Sequence, residues 1–481
     1  MSEFNDEHEE SPLVSGGRRK ERRDSHRALP FVSDQDALMY LNWASTLLFG
    51  GVVFGWASIQ MLLEDSLVLN KQCDDPTGEP CVAQLDQYSL IFTVIITEHT
   101  VFGAIAGFLV DSYGPGVVAF IGGMFLTAGG FTVGLCDPNS FTGLMTGFSL
   151  HSIGSSMLYM TAWSGNFAVR EEMLGTYLTV NSAFFDSSAL VPWLMYGAAE
   201  VFNTSYSVVY VTYGIISFAV VSTSCFYWYR MAGMIAERQA AAMAAALSAT
   251  QGRAAQVSTD LVGEKADYTA MHSLSMRQML GTRQFVYLAL LLGIHIVRMN
   301  FYTGGLRDMI LEMTDDTDEQ DFYTTMYSLL FPMGFLFIVP VVYVIEHYDF
   351  VTAFDWVTIG SATWGGAICI ESLPLQLPAF LAFAATRALF YSTMGVAIAH
   401  TFGPLHGSTM FGMGGLLAAG LNLLVYPISV AANSTGWNVM NMLMLTTLVP
   451  VFLLRFPLKA ALGEYLGGQH VPRKTSSKDI M

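Results

Sequence analysis

FVYLALLLGIHIVRMNFYTGGLRDMILEM, residues 285 to 313, decides the fold. A run this long and this apolar is a membrane span. Arg298 sits near its middle, where a guanidinium costs at least a few kcal/mol unless it faces protein or water. Asn300, Tyr302 and the pair Gly304-Gly305 follow within two turns. Paired glycines weaken a helix and free backbone groups, so the stretch is expected to form a polar, breakable spot at membrane depth. It reads as one wall of a solute site. The plainer reading, Arg298 locking one helix to its neighbour through a buried ion pair, stands beside it.

The rest of the chain is built in the same way. It has 481 residues, 53% hydrophobic and 13% charged. Soluble domains carry about 25% charged residues. Twelve apolar runs are expected to be membrane helices: 41–63, 87–110, 116–136, 141–167, 174–202, 207–229, 285–313, 322–345, 350–370, 377–401, 409–432 and 437–458. Barrel strands would be shorter and would alternate. The net charge of −17 argues against nucleic acid binding, which needs a basic face.

Loop charges set the expected orientation. Arg238, Arg253, Lys265, Arg277 and Arg283 lie in the longest gap, and further basic residues lie in both tails. The positive-inside rule then puts both termini and this gap in the cytoplasm. The expected divisions are a disordered cytoplasmic tail (1–36), a six-helix bundle (37–231), a cytoplasmic central loop (232–283), a second six-helix bundle (284–460) and a cytoplasmic tail (461–481). Cys73 and Cys81 share one polar loop on the opposite face, where a disulfide is plausible. The sequons at Asn203 and Asn433 fall on that face too, so plasma membrane is the expected location and both asparagines are candidate glycosylation sites.

The halves echo one another. Val110-Asp111-Ser-Tyr-Gly follows the second run and Ile345-Glu346-His-Tyr-Asp follows the eighth. With the central gap, this predicts an all-α membrane protein of two parallel six-helix bundles, the arrangement of major facilitator transporters. Gly107-Phe-Leu-Val-Asp111-Ser-Tyr-Gly114-Pro-Gly116 resembles the superfamily's signature between its second and third helices. That resemblance implies an inner gate at Gly107, Asp111 and Gly114, with Glu346 as the counterpart acid. The basic residues that usually follow the acid are missing, with Ser112 and Gly116 near their places.

A closer resemblance is carried by Leu47-Leu-Phe-Gly-Gly-Val-Val-Phe-Gly-Trp56-Ala-Ser, Phe92-Thr, Arg298 to Tyr302, Thr386-Arg387-Ala-Leu-Phe-Tyr391-Ser, Phe402-Gly-Pro-Leu-His-Gly407 and Tyr426-Pro427. These segments are similar to the sodium-independent, system-L-like neutral amino acid transporters and to the related apicomplexan amino acid transporters. The resemblance implies facilitated transport of amino acids. Relatives differ in cargo, from large neutral, cationic or aromatic amino acids to purine bases.

Polar residues inside the runs mark the expected site. Arg298 is the candidate for a cargo carboxylate, through its bidentate fork, and freed backbone groups at Gly304-Gly305, or at Gly50-Gly51 in the first run, are candidates for further partners. Asp186, among Asn181, Ser182, Ser187 and Ser188, is the candidate for an ammonium or a basic side chain. Ser155, Tyr159, Trp56, Tyr391 and Ser392 are expected to line the same cavity. Glu98, His99, Asp355 and Arg387 are further buried charges. Arg387 reads as structural, paired with Asp355 or with a helix end, and Glu98 as a packing or gating carboxylate rather than half of a proton-coupling pair with His99. The chain is expected to act as a monomer in the bilayer on a small-molecule substrate. A nucleobase or other organic solute, carried with or without a proton, is the alternative cargo, and a non-transporting receptor or scaffold the alternative class. No enzyme motif, nucleotide-binding glycine loop or metal-ligand spacing stands out, so neither cofactor nor metal is expected.

Overall fold

The computed structural model describes residues 33–74, 80–165, 168–170, 173–257 and 274–466. Helices occupy all twelve apolar runs: α1 (Asp34–Asp65), α2 (Val82–Tyr113), α3 (Pro115–Leu135), α4 (Phe141–Ser164), α5 (174–201), α6 (Tyr206–Val257), α7 (Arg283–Met313), α8 (317–347), α9 (Phe350–Ile368), α10 (Leu373–Ile398), α11 (Thr409–Thr435) and α12 (Trp437–Ala461). Nine of them, all but α4, α5 and α9, are long and apolar enough to cross a membrane among the described residues. Polar residues lower the hydropathy of the other three, such as His151, Ser155 and Ser156 in α4, Asn181 and Asp186 in α5, and Asp355 and Ser361 in α9. The protein is a nearly all-helical, multi-pass membrane protein.

Sequence chemistry fixes the helix starts. Thr282 accepts a hydrogen bond from the Phe285 N–H to open α7, and Asp349 one from Thr352 N–H to open α9. Gly114, at φ 84°, turns the chain between α2 and α3, and Pro115 begins α3. α6 runs well past its apolar stretch to Val257, so residues 232–257 of the expected central loop are helical. Helical hydrogen bonding also runs on through the connection of α10 to α11, as one helix from Leu373 to Asn422. The first ordered helix begins at Asp34, inside the stretch assigned to the tail. The rest of that tail, residues 258–273 of the central loop and residues 467–481 of the C-tail lie outside the described residues.

Small residues let the first half pack tightly. A Cβ on Gly129 would come within 2.5 Å of the His151 backbone nitrogen, so α3 and α4 touch backbone to backbone. Large apolar side chains such as Phe120, Phe218, Val339 and Phe456 face outward, as lipid-facing surfaces require. Cys73 and Cys81 are joined in the loop between α1 and α2, with Cα atoms 5.7 Å apart.

Candidate functional site

Three helices lose α-geometry at one level. α1 changes from Asp34–Ser45 through a π-helical turn (Thr46–Gly50) and a 3₁₀ turn (Val52–Gly55) before resuming at Trp56. α5 is interrupted at Ser188–Leu190 and α8 at Phe331–Phe337, both by 3₁₀ geometry. The interruption of α5 touches those of α1 and α8. Glycines make the contact possible: a Cβ on Gly51 would meet Phe185 O at 2.6 Å, and one on Gly55 would meet Ala189 O at 2.5 Å. Freed backbone groups are capped by side chains. Ser188 Oγ accepts from the Gly51 N–H at 2.6 Å, and Ser155 Oγ donates to the carbonyls of Phe49 and Gly50. Pairing of this kind is what makes a broken helix tolerable at membrane depth.

An ion pair lies at this junction. Asp186 of α5 accepts a hydrogen bond from Arg387 of α10, which joins the first six helices to the last six. The guanidinium also lies over the rings of Phe54 (4.6 Å), Phe331 (5.0 Å) and Tyr391 (5.2 Å). Tyr159 stacks on Phe185 at 4.1 Å, and His99 places its ring beside Phe54 and Phe185. The Arg387 side chain is 7% exposed, whereas that of Asp186 is 27% exposed. The acid is thus the more accessible partner of a pair that is otherwise walled by aromatic rings.

Arg298 lies elsewhere. It is 2% exposed and faces α9 and α12, donating to Met444 O at 3.1 Å and to Ser361 O at 3.4 Å, with its charge 5.2 Å from the Trp364 ring. Its contacts hold the last six helices together and do not reach the junction. α7 also runs unbroken through Gly304-Gly305. Those glycines admit bulk instead: a Cβ would come within 2.2 Å of the Phe92 ring at Gly304 and 2.0 Å of the Trp437 ring at Gly305. The break expected at Gly304-Gly305 is not there: the broken helices are α1, α5 and α8, and the glycine pair in α7 is a packing notch. Asn300 bonds Asn422, which bonds Thr97, linking α7 to α11 and α2. Tyr302 is enclosed by Tyr327, Trp364 and Phe383.

The remaining candidates scatter. Trp56 packs on Phe92 and Phe148 within the first half, and Ser392 is exposed. Asp355 pairs with Arg455 of α12 at 3.1 Å, not with Arg387. Glu98 is partly buried beside Ser149. Nothing approaches the Cβ position of Gly107 within 4 Å, so no neighbouring helix packs closely on it in this conformation. The side chains of Asp111 and Glu346 lie outside the described residues.

A second network ties the halves together at the end of the disulfide loop. Arg307 of α7 bonds Glu64 of α1 (3.0 Å) and Asp321 of α8 (2.9 Å). Gln60 donates to both Glu64 (2.8 Å) and Asp308 (2.6 Å). Nearby, Ser58 bonds Ser328 and Asn433 bonds Asp86. These contacts join the halves at that end. Sequence reading missed Phe54, Phe185, Phe331 and this network. Pro332 and Gly334 within the eighth run were the available signal for the α8 break.

No family model matches the chain. Among curated proteins, Protein FMP42 of Saccharomyces cerevisiae is 28% identical over 161 residues, which covers 31% of this chain and 30% of that protein. Arginine transporter 1 of Toxoplasma gondii is 24% identical over 168 residues, 32% of this chain and 31% of that protein. The matched stretch thus spans about three tenths of either relative's length. Solved structures align far more completely. A peptide transporter POT in complex with sulfate superposes with a TM-score of 0.60 at 10% identity, covering 90% of this chain and 94% of that one. A POT family transporter in complex with 5-aminolevulinic acid gives 0.60 at 10% identity, with 89% and 95% covered. At this identity the likeness shows the fold, which is that of the major facilitator transporters.

Proposed function

We propose that this chain is a membrane transporter that moves amino acids by alternating access. Its twelve helices would cross the bilayer as two six-helix units that rock about the Asp186–Arg387 junction. That ion pair is the observation that carries the reading. It joins opposite halves at the level where α1, α5 and α8 lose α-geometry, and half-helix ends at such breaks are where transporters of this fold bind solutes. Its two charges are the complement of an amino acid zwitterion. Arg387 offers a forked donor to a carboxylate, and Asp186 accepts an ammonium. Phe54, Tyr159, Phe185, Phe331 and Tyr391 form the wall that a cargo side chain meets.

Glu64, Arg307 and Asp321 act as the gate on the disulfide side, shut in this conformation. Kinship with the system-L-like amino acid transporters is part of this proposal. The local match to a protein named as an arginine transporter supports an amino acid cargo. Both termini are placed in the cytoplasm and the disulfide loop outside, in the plasma membrane, on the positive-inside rule. Of the two sequons, Asn203 is exposed, whereas the amide of Asn433 is engaged by Asp86 and Trp437, so a glycan is expected on Asn203.

The test is uptake of labelled amino acids into vesicles carrying the purified protein, with unlabelled amino acids and purine bases as competitors. Competition by amino acids, lost in Asp186→Asn and in Arg387→Gln, is the expected result. Competition by purines alone would replace the amino acid reading with a nucleobase transporter.

A further inference from the structure

We infer that the last six helices bind a small monovalent anion of the halide class beside Arg298, at a site separate from the Asp186–Arg387 junction. The inference does not rest on the transport reading and would survive its failure.

Arg298 is a buried cation without a counter-charge in the protein. None of the ion pairs among the described residues includes it. The titratable groups that act on it are His295 of α7 and the thiol of Cys369 at the end of α9, and neither is a carboxylate. A lone ionised group in a dry interior is strongly destabilising. Its Nε and Nη2 donate to the carbonyls of Met444 and Ser361, but Nη1 has no partner in the protein. Three donors beside it are also unpaired: the Ser361 hydroxyl, the Trp364 indole N–H and the Tyr302 hydroxyl. All four residues are at most 2% exposed. They lie together. Tyr302 is one turn beyond Arg298 on α7, and Ser361 and Trp364 are one turn apart on α9. The guanidinium is 5.2 Å from the Trp364 ring centroid, and that ring is 5.1 Å from the Tyr302 ring.

Buried polar groups are normally paired, so these unpaired donors around an unbalanced cation call for an acceptor that carries negative charge. A guanidinium and an indole can only donate, which rules out their pairing with each other. One surplus positive charge asks for one negative charge. Phe383 packs on both rings, 4.8 Å from Tyr302 and 5.1 Å from Trp364, and this close apolar wall favours a monatomic ion over a larger oxyanion. A way in is present. His295, Thr358, Asp355 and Arg455 line a cleft between α7, α9 and α12. His295 is one turn before Arg298 on α7, and Thr358 one turn before Ser361 on α9, so the inner end of the cleft adjoins the donors. His295, 1% exposed, adds an unpaired Nδ1 there. The partly exposed pair of Asp355 and Arg455 stands at the mouth, with Lys459 acting on Asp355 as well. Cations therefore outnumber acids along the route. Every donor belongs to the last six helices, so the ion is a fixed part of that half and not a cargo.

The experiment follows thermal unfolding of the purified full chain as sodium chloride or bromide replaces sodium gluconate at constant ionic strength, with sodium sulfate as a parallel series. For the parent protein the unfolding temperature is expected to rise by about 2 °C or more with either halide. In Arg298→Met that rise disappears, and the variant is expected to be at least as stable as the parent in gluconate but not in chloride. Tyr302→Phe and Trp364→Phe keep a ring and remove one unpaired donor each, so both should fold whatever becomes of Arg298→Met. In these two the halide concentration that gives half of the shift is expected to rise about threefold or more. A parent that responds equally to halide and gluconate would overturn the inference. So would a halide response of full size in Arg298→Met, or one unchanged in both Phe variants. A response to sulfate without one to halides would overturn the halide class.

Discussion

Arg298 in α7 and Arg387 in α10 are both long cations buried in apolar helices of the second half, and they are solved in opposite ways. Arg298 bonds two backbone carbonyls and lies on Trp364, with all of these contacts inside its own half. Arg387 bonds a carboxylate from the other half and is ringed by aromatics from α1, α8 and α10. The first arrangement lies within one half of the molecule. The second joins the two halves. On the transport reading proposed above, a buried charge marks function when its partner lies in the other half.

The comparison is open to direct test. The largest effect is expected at the closed gate. Arg307→Ala leaves Glu64 buried without its cation, at a cost of about 3–5 kcal/mol to the closed form. Thermal unfolding and reagent access to a cysteine placed at Ser58 would both report it, and unchanged access would remove Arg307 from the gate. Next, Arg387→Met is expected to weaken cargo binding by about 2–5 kcal/mol, read as the loss of cargo-induced thermal stabilisation. Adding Asp186→Leu should recover unfolding temperature but not binding, which separates a structural pair from a binding one.

Gly305→Leu comes third. It drives a side chain into the Trp437 ring and should cost about 1–3 kcal/mol of stability, seen as a lower unfolding temperature. Unchanged stability would return the glycine pair to the role of a loose helix segment. The smallest effect is expected for Arg298→Met. Exchanging a buried cation held only by carbonyls for an apolar chain of similar volume should leave stability within about 1.5 kcal/mol and cargo binding unaltered. A large loss of binding would erase the contrast between the two arginines.

These outcomes bear on how far the chain could be read unaided. Apolar runs long enough to cross a bilayer leave helix as the only solution, so the helices and their order followed from composition alone. The site did not follow in the same way. Arg298, Asp186 and Arg387 all stand out as charges in apolar runs, yet a linear pattern does not tell which side of a helix meets its own bundle and which meets the other. In membrane helices a polar residue gains from any neighbour that satisfies it, within one half or across the two. Gly304-Gly305 carried the stronger breaking signal, but packing of Phe92 and Trp437 into the glycine notch keeps α7 straight. The break fell at the other candidate pair, Gly50-Gly51, where Ser155 and Ser188 from other helices could cap the freed backbone.

Sequence by itself determined that this protein is a bundle of bilayer-length helices and which ionisable side chains must be accommodated within them, because hydrocarbon tolerates no unsatisfied backbone and few unpaired charges. Only the tertiary structure decided which of those charges face one another across the two halves. That choice depends on helix rotation and on where neighbouring side chains can cap a broken turn, and both are set by contacts between residues far apart in the chain.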